Sequence, residues 1–238
     1  MKLDDLLLMS GNDIPFPMAR VNIHQPTLKE IGIIFEENFH MGCHFLNFNK
    51  DNLNVEDKSN LETKSDFDIF MSVINSRGNR ELKTDVQMVL ALLFPQYNIE
   101  IGKDKILLHL ENFSSSINET NFSDFKNILD QMFCLSANAG GTEYNPGDAL
   151  AAKIAEKIKK GKEKKNQKKS SGKLTIFKEY ISILSVGLQI DVNTLLNYTV
   201  YQINDEYKRF IAFQNWDIYI KAKLAGAQDL EEVTNWME

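Results

Sequence analysis

His40 and His44 stand four residues apart with Cys43 between them, in the stretch His40-Met41-Gly42-Cys43-His44. On a helix that spacing puts both imidazoles on one face, as in a two-histidine zinc half-site. A complete centre needs more. The glutamate of the H-E-x-x-H frame is missing, Gly42 interrupts the helix locally, and a third ligand would have to come from Cys134 or His109. Hydrogen-bonded histidines and a buried thiol suit these residues better, and no metal or cofactor is expected. Cys134 closes the apolar run Met132-Phe133-Cys134-Leu135, where a thiol pKa rises, which argues against a Cys–His nucleophile pair. The glycine pair Gly140-Gly141 follows a predicted helix and lacks the frame of a phosphate loop. The carboxylates fall on predicted polar faces, so no acid–base pair stands out. These residues point to a non-enzymatic protein that binds or assembles.

Two stretches carry binding chemistry. Lys153 to Lys173 holds ten lysines and two glutamates, a local charge of +8 in a chain of net charge −6. On a helix Lys153, Lys157, Lys160, Lys164 and Lys168 lie near one stripe. That stripe could meet phosphates or anionic lipid. It has no arginine and no interleaved aromatic for nucleic acid, and only Leu150, Ile154 and Ile158 as apolar residues for a membrane. The block reads as a solvated basic connector that can attract acidic surface. The second stretch is a ring series: Tyr198, Tyr201, Tyr207, Phe210, Phe213, Trp216 and Tyr219. At a spacing of mostly three, such a series winds round the helix and cannot all face one flat core. Either the helix is enclosed on several sides or part of its aromatic surface binds a partner.

The elements that must hold these residues are mostly helices. Thr27 and Glu30 form a capping box before a predicted helix over 28–42, with Leu28, Ile31, Ile34, Phe35 and Phe39 on one side. Further helices are predicted from Asp66, over 81–94 with a stop at Pro95, and from Asn121 or Ser123 to Leu135. A short one is expected at 55–61. Strands are expected near 20–25, stopped by Pro26, and as a hairpin over 97–110 turning at Gly102-Lys103-Asp104-Lys105. A helix over 174–188 is followed by one long helix capped by Asp191. The fold class is mainly α with a small antiparallel β element. The predicted division is an α+β domain over 1–135, a loop and basic helical connector over 136–173, and an α-helical hairpin region over 174–238.

Composition is that of a globular chain, with 43% apolar residues and 15 phenylalanines. The acidic balance argues against general nucleic-acid binding. The opening Met1-Lys2-Leu3-Asp4-Asp5 lacks the basic start and long apolar core of a signal peptide, and no apolar run is long enough for a bilayer span.

The opening Val21-Asn22-Ile23-His24-Gln25-Pro26-Thr27-Leu28 resembles the strand–Pro–Thr–helix start of small proteins encoded upstream of the tape-measure gene in long-tailed phages and prophages. The stretches 195–210 and 216–237 resemble the same group, the phage tail assembly chaperones. That resemblance covers about the first 40 and last 60 residues; the hairpin and the lysine block have no counterpart in it. It implies a non-enzymatic protein of the bacterial host cytoplasm that binds the tape-measure protein, and tail-tube subunits as further partners, during virion assembly. Two other readings stay open: a structural tail or head–tail protein, and a nucleic-acid-associated protein acting through Lys153–Lys173.

Overall fold

The computed structural model describes residues 2–50, 64–135 and 176–227. The helix expected at 55–61 and the whole basic connector lie outside them. Among the described residues the chain is mainly helical with two small antiparallel sheets, the expected class.

The chain opens with helix α1 (Asp5–Ser10), whose cap Asp4 accepts from the Leu6 N–H at 2.7 Å. Gly11 ends it at φ 68°, a conformation glycine adopts without a Cβ clash. Strands β1 (Ile14–Phe16) and β2 (Val21–Ile23) then pair antiparallel across a 3-10 turn at Pro17–Ala19. Ile14, Phe16, Val21 and Ile23 alternate inward and are buried. The sequence predicts only β2. α1 and β1 are too short for their periodicity to register against the turn residues around them.

Helices α2 (Leu28–Ile34) and α3 (Glu36–Leu46) replace the single helix expected over 28–42. The break is at Phe35, at φ 66° and ψ 136°, a region that costs a bulky residue roughly 1–3 kcal/mol. Two anchors impose it. At one end the Leu28 N–H donates to the Tyr198 carbonyl at 2.9 Å, and Thr27 bridges to Thr199. At the other end α3 lies tightly on α5 (Arg80–Leu93): a Cβ on Gly42 would stand 2.8 Å from the Asp85 carbonyl oxygen. Gly42 therefore does not interrupt the helix. It sits inside α3 as the point of closest approach. Phe35, expected on the apolar face, is instead 71% exposed.

Helix α4 (Asp66–Ile74) starts with a capping box in which Ser65 and Asp68 each accept from the other's backbone N–H. The expected hairpin is present as β3 (Asn98–Ile101) and β4 (Ile106–Leu110), with Ile101 opposite Ile106. A third strand, β5 (Phe113–Ile117), joins β4 after a turn at Glu111-Asn112. Its Phe-Ser-Ser-Ser-Ile sequence has little strand propensity; pairing with β4 decides it. Helix α6 (Glu119–Phe133) begins earlier than predicted, with Asn118 as the cap and Asn121 completing the box.

After residue 175 come α7 (Ile176–Leu188), α8 (Val192–Leu196) and α9 (Val200–Leu224). The single long helix expected from Asp191 is two, because Thr199 starts a new capping box with Gln202. One hydrophobic core joins residues from both sides of the 136–175 interval. A phenylalanine cluster forms its centre, with Phe67 and Phe70 at 4.9 and 5.2 Å from Phe122 and Phe39 at 5.0 Å from Phe133. Phe177, Leu184, Leu195, Val200 and Ile203 add to the same core. The Glu36 carboxylate accepts from the Phe177 N–H at 2.8 Å and so caps the first turn of α7.

Candidate partner-binding surface

Helix α9 has 25 residues, roughly 37 Å at 1.5 Å per residue. Its first half is held firmly. The Thr199 hydroxyl accepts from the Gln202 N–H, the Gln202 side chain returns to the Thr199 N–H at 2.8 Å, and its amide also donates to the Met9 carbonyl at 2.7 Å. Val200, Ile203 and Asn204 are buried, and the Asn204 amide is satisfied by the Val200 carbonyl at 2.8 Å. Helix α7 packs against this half. Tyr180 stacks on Tyr207 with ring centres 4.0 Å apart and planes at 13°. A Cβ on Gly187 would stand 2.3 Å from the tip of the Phe210 ring, so only glycine admits that ring without a shift.

The second half is different. Beyond Phe210 no residue of α9 belongs to the core or packs against it, among the described residues. Fourteen residues from Ile211 to Leu224 extend roughly 20 Å in this way. Ile211, Phe213, Ile218 and Leu224 are 36%, 42%, 62% and 83% exposed.

This divides the seven predicted ring residues. Tyr198, Tyr201, Tyr207 and Phe210 are half-buried against the chain's own core. The Tyr201 hydroxyl lies 3.4 Å from the Asp5 carboxylate, and burial, with Asp5 and Asp205 nearby, pushes its pKa up. Phe213, Trp216 and Tyr219 lie beyond the core. At about 100° per residue they fall on the side of α9 away from Val200, Ile203 and Tyr207. Trp216 and Tyr219 are half-buried and contact each other at 5.8 Å, with the Lys223 ammonium 5.4 Å over the Tyr219 ring. The spacing of three thus separates core rings from rings beyond the core within one helix.

The ring series conceals a second line. Ile211 and Ile218 continue the core-facing stripe of α9 past the point where the core ends. The sequence signal was there, an isoleucine pair seven residues apart, but the aromatics around it dominate the pattern. Lys153, Lys157, Lys160, Lys164 and Lys168 lie outside the described residues.

The histidine and cysteine positions form no metal centre, and no group of three or more such ligands occurs among the described residues. Cys43 is buried in the core, and burial pushes its thiol well above the ordinary value. His40 lies 3.4 Å from Glu36 and packs its ring 5.0 Å from Phe177. Cys134 is half-buried at the end of α6, and burial raises its thiol too. A cleft of about 340 Å³ lies between Lys50, Asp66, Glu119, Phe122 and Lys126. Both its ammonium groups are already used: Lys126 pairs with Asp66 at 2.6 Å and donates to the Phe48 carbonyl at 2.7 Å, tying α6 to α4, and Lys50 donates to the Lys64 carbonyl at 3.0 Å. Among the described residues no helix is long and apolar enough to cross a membrane.

No curated protein and no solved structure matches the chain. Residues 164–238, about a third of the sequence, match a family model described as the YomV second domain. The part of the chain that contains α7, α8 and α9 is therefore similar to a phage-associated domain.

Proposed function

We propose that the chain is a phage tail assembly chaperone, a non-enzymatic protein of the host cytoplasm that binds the tape-measure protein and promotes assembly of the tail tube round it. One observation carries this reading: the distal half of α9 offers Ile211, Ile218 and Leu224 at its surface beyond the end of the core. Such a helix can lie along an apolar helical client, side chains of each filling gaps on the other. The net charge of −6 would keep the complex soluble. Similarity of residues 164–238 to a phage-associated domain supports the phage setting and covers this same helix.

The test is co-expression with an aggregation-prone tape-measure protein of a long-tailed phage. The wild-type chain is expected to hold that client in the soluble fraction, and Ile211→Lys with Ile218→Lys to release it to the pellet. Unchanged client solubility with and without the chain would overturn the reading. Mass spectrometry of purified particles separates the structural-protein alternative, since a chaperone is absent from the finished virion. Replacing the lysines of 153–173 by glutamine separates the nucleic-acid alternative: that reading predicts loss of DNA retention, whereas the chaperone reading predicts client binding nearly intact.

A further inference from the structure

Beyond the core, α9 has two sides of different character. Ile218 is 62% exposed. Ile220, two residues on, is half-buried, and so is Trp216. At about 100° per residue Phe213, Trp216 and Ile220 fall within roughly 60° of one another, on the side opposite Ile211 and Ile218. Among the described residues the core packs on neither side here. Two isoleucines of one helix thus differ in burial where the core covers neither of them. Packing of an apolar face supplies most of a helix's stability in water, and a stretch of this length is marginal without it. The side with Phe213, Trp216 and Ile220 is where such packing belongs.

The end of α9 turns the chain back. Gly226 stands at φ 86°, its N–H donates to the Lys223 carbonyl at 3.1 Å, and the Ala227 N–H donates to the Ala222 carbonyl at 3.1 Å. This pair of bonds is a Schellman stop, which folds Ala227 over the last turn instead of continuing the axis. Residues 228–238 follow, outside the described residues. They contain Leu230, Val233, Trp236 and Met237. At helical spacing these four share an arc of roughly 120°, with Glu231 and Glu238 facing away from it. At 1.5 Å per residue the stretch covers roughly 16 Å, enough to bring Trp236 back to the level of Trp216. The family match that covers α9 runs on through residue 238.

We infer that residues 228–238 pack back along α9 and cover its Phe213–Trp216–Ile220 side, with Leu230, Val233 and Trp236 as the covering side chains. The contact lies within one chain. Few residues link the two partners, so the effective concentration of the segment at this face is far above that of a second copy. The segment braces the part of α9 that outruns the core and leaves the Ile211–Ile218 stripe uncovered. The inference stands whether or not the chain is a chaperone, because Phe213, Trp216 and Ile220 take no part in that reading.

The experiment uses the fact that the chain has two tryptophans, Trp216 and Trp236. Trp216→Phe in the full chain leaves Trp236 as the reporter. Its emission should be blue-shifted, and acrylamide should quench it several-fold less than it quenches a free peptide of residues 228–238. Ile220→Lys, added to that variant, should raise quenching to the level of the peptide. Ile218→Lys, on the opposite side, should leave it low. Val233→Asp, in the segment itself, makes the same check if Ile220→Lys loses helix by circular dichroism. Quenching of Trp236 like that of the peptide would overturn the inference. So would protection that Ile218→Lys removes, or that Ile220→Lys and Val233→Asp both leave in place. Protection that falls on dilution, together with a dimer in sedimentation, would assign the cover to a second copy and overturn it too. Client solubility enters none of these readings, so failure of the inference and failure of the chaperone reading are told apart.

Discussion

The close approach of α3 to α5 is tested by one methyl group. In Gly42→Ala the new Cβ would lie 2.6 Å from Val89 Cγ2 and 2.8 Å from the Asp85 carbonyl oxygen. The valine methyl can rotate away. The carbonyl belongs to the backbone of α5, so the two helices must separate by several tenths of an ångström. Overpacking of this kind costs typically about 1–3 kcal/mol. Helix propensity works the other way, since alanine is better than glycine by about 0.8–1 kcal/mol. Because the clash is with backbone, the steric cost falls in the upper part of that range, and the expected net destabilisation is up to about 2 kcal/mol. Gly32→Ala, ten residues earlier in α2, is the internal control. Nothing lies within 4 Å of its Cβ position, so propensity alone should stabilise it by up to about 1 kcal/mol. Urea unfolding of the two variants should differ in midpoint with unchanged slope. In heating, about 2–4 °C per kcal/mol is expected for a domain of this size. A Gly42→Ala variant as stable as Gly32→Ala would refute the close helix contact.

Two further outcomes follow from groups already described. Burial works to raise the Glu30 pKa, but hydrogen bonds from the Thr27 backbone and hydroxyl and from His24 outweigh it and hold it below the ordinary 4.5. For Asp66, burial is likewise outweighed by Lys126 and the Lys50 N–H, so its pKa lies below 3.8. A depressed folded pKa gives stability that is present above the unfolded value and lost as pH falls through the folded one. Stability should therefore fall below about pH 4.5, and Glu30→Gln should flatten the first part of that loss in a pH series of urea melts; an unchanged slope would refute the Glu30 assignment. Asp85, with its raised pKa, contributes in the opposite sense. In thiol labelling of the native chain, half-buried Cys134 should react well before Cys43, which should wait for denaturant; equal native rates would show that Cys43 is not enclosed.

Much of the fold is legible in local pattern. The Thr27–Glu30 capping box, the α5 periodicity and the 97–110 hairpin rest on signals within one turn or one strand pair, and each is where the residues place it. What the pattern hides depends on distant partners. Phe35 looks like a core residue because Leu28, Ile31 and Phe39 share its spacing. Nothing local says that Thr27 is tied to Thr199 while Gly42 is pressed on Asp85, or that a straight helix cannot meet both. β5 is invisible for a similar reason, since three serines become a strand only once β4 is beside them. The candidate surface was half legible. The ring series showed that no single core could absorb it, but not where the core would stop.

The residues by themselves determined which faces are apolar, where helices start and that the rings of α9 must diverge, because side-chain chemistry and the 3.6-residue period act over neighbours in sequence. Only the tertiary structure decided that Tyr207 and Phe210 pack inward while Ile211 and Ile218 remain at the surface. That choice depends on α7, held by Glu36 at its start and by Gly187 against Phe210, covering the first half of α9 and leaving the second beyond the core.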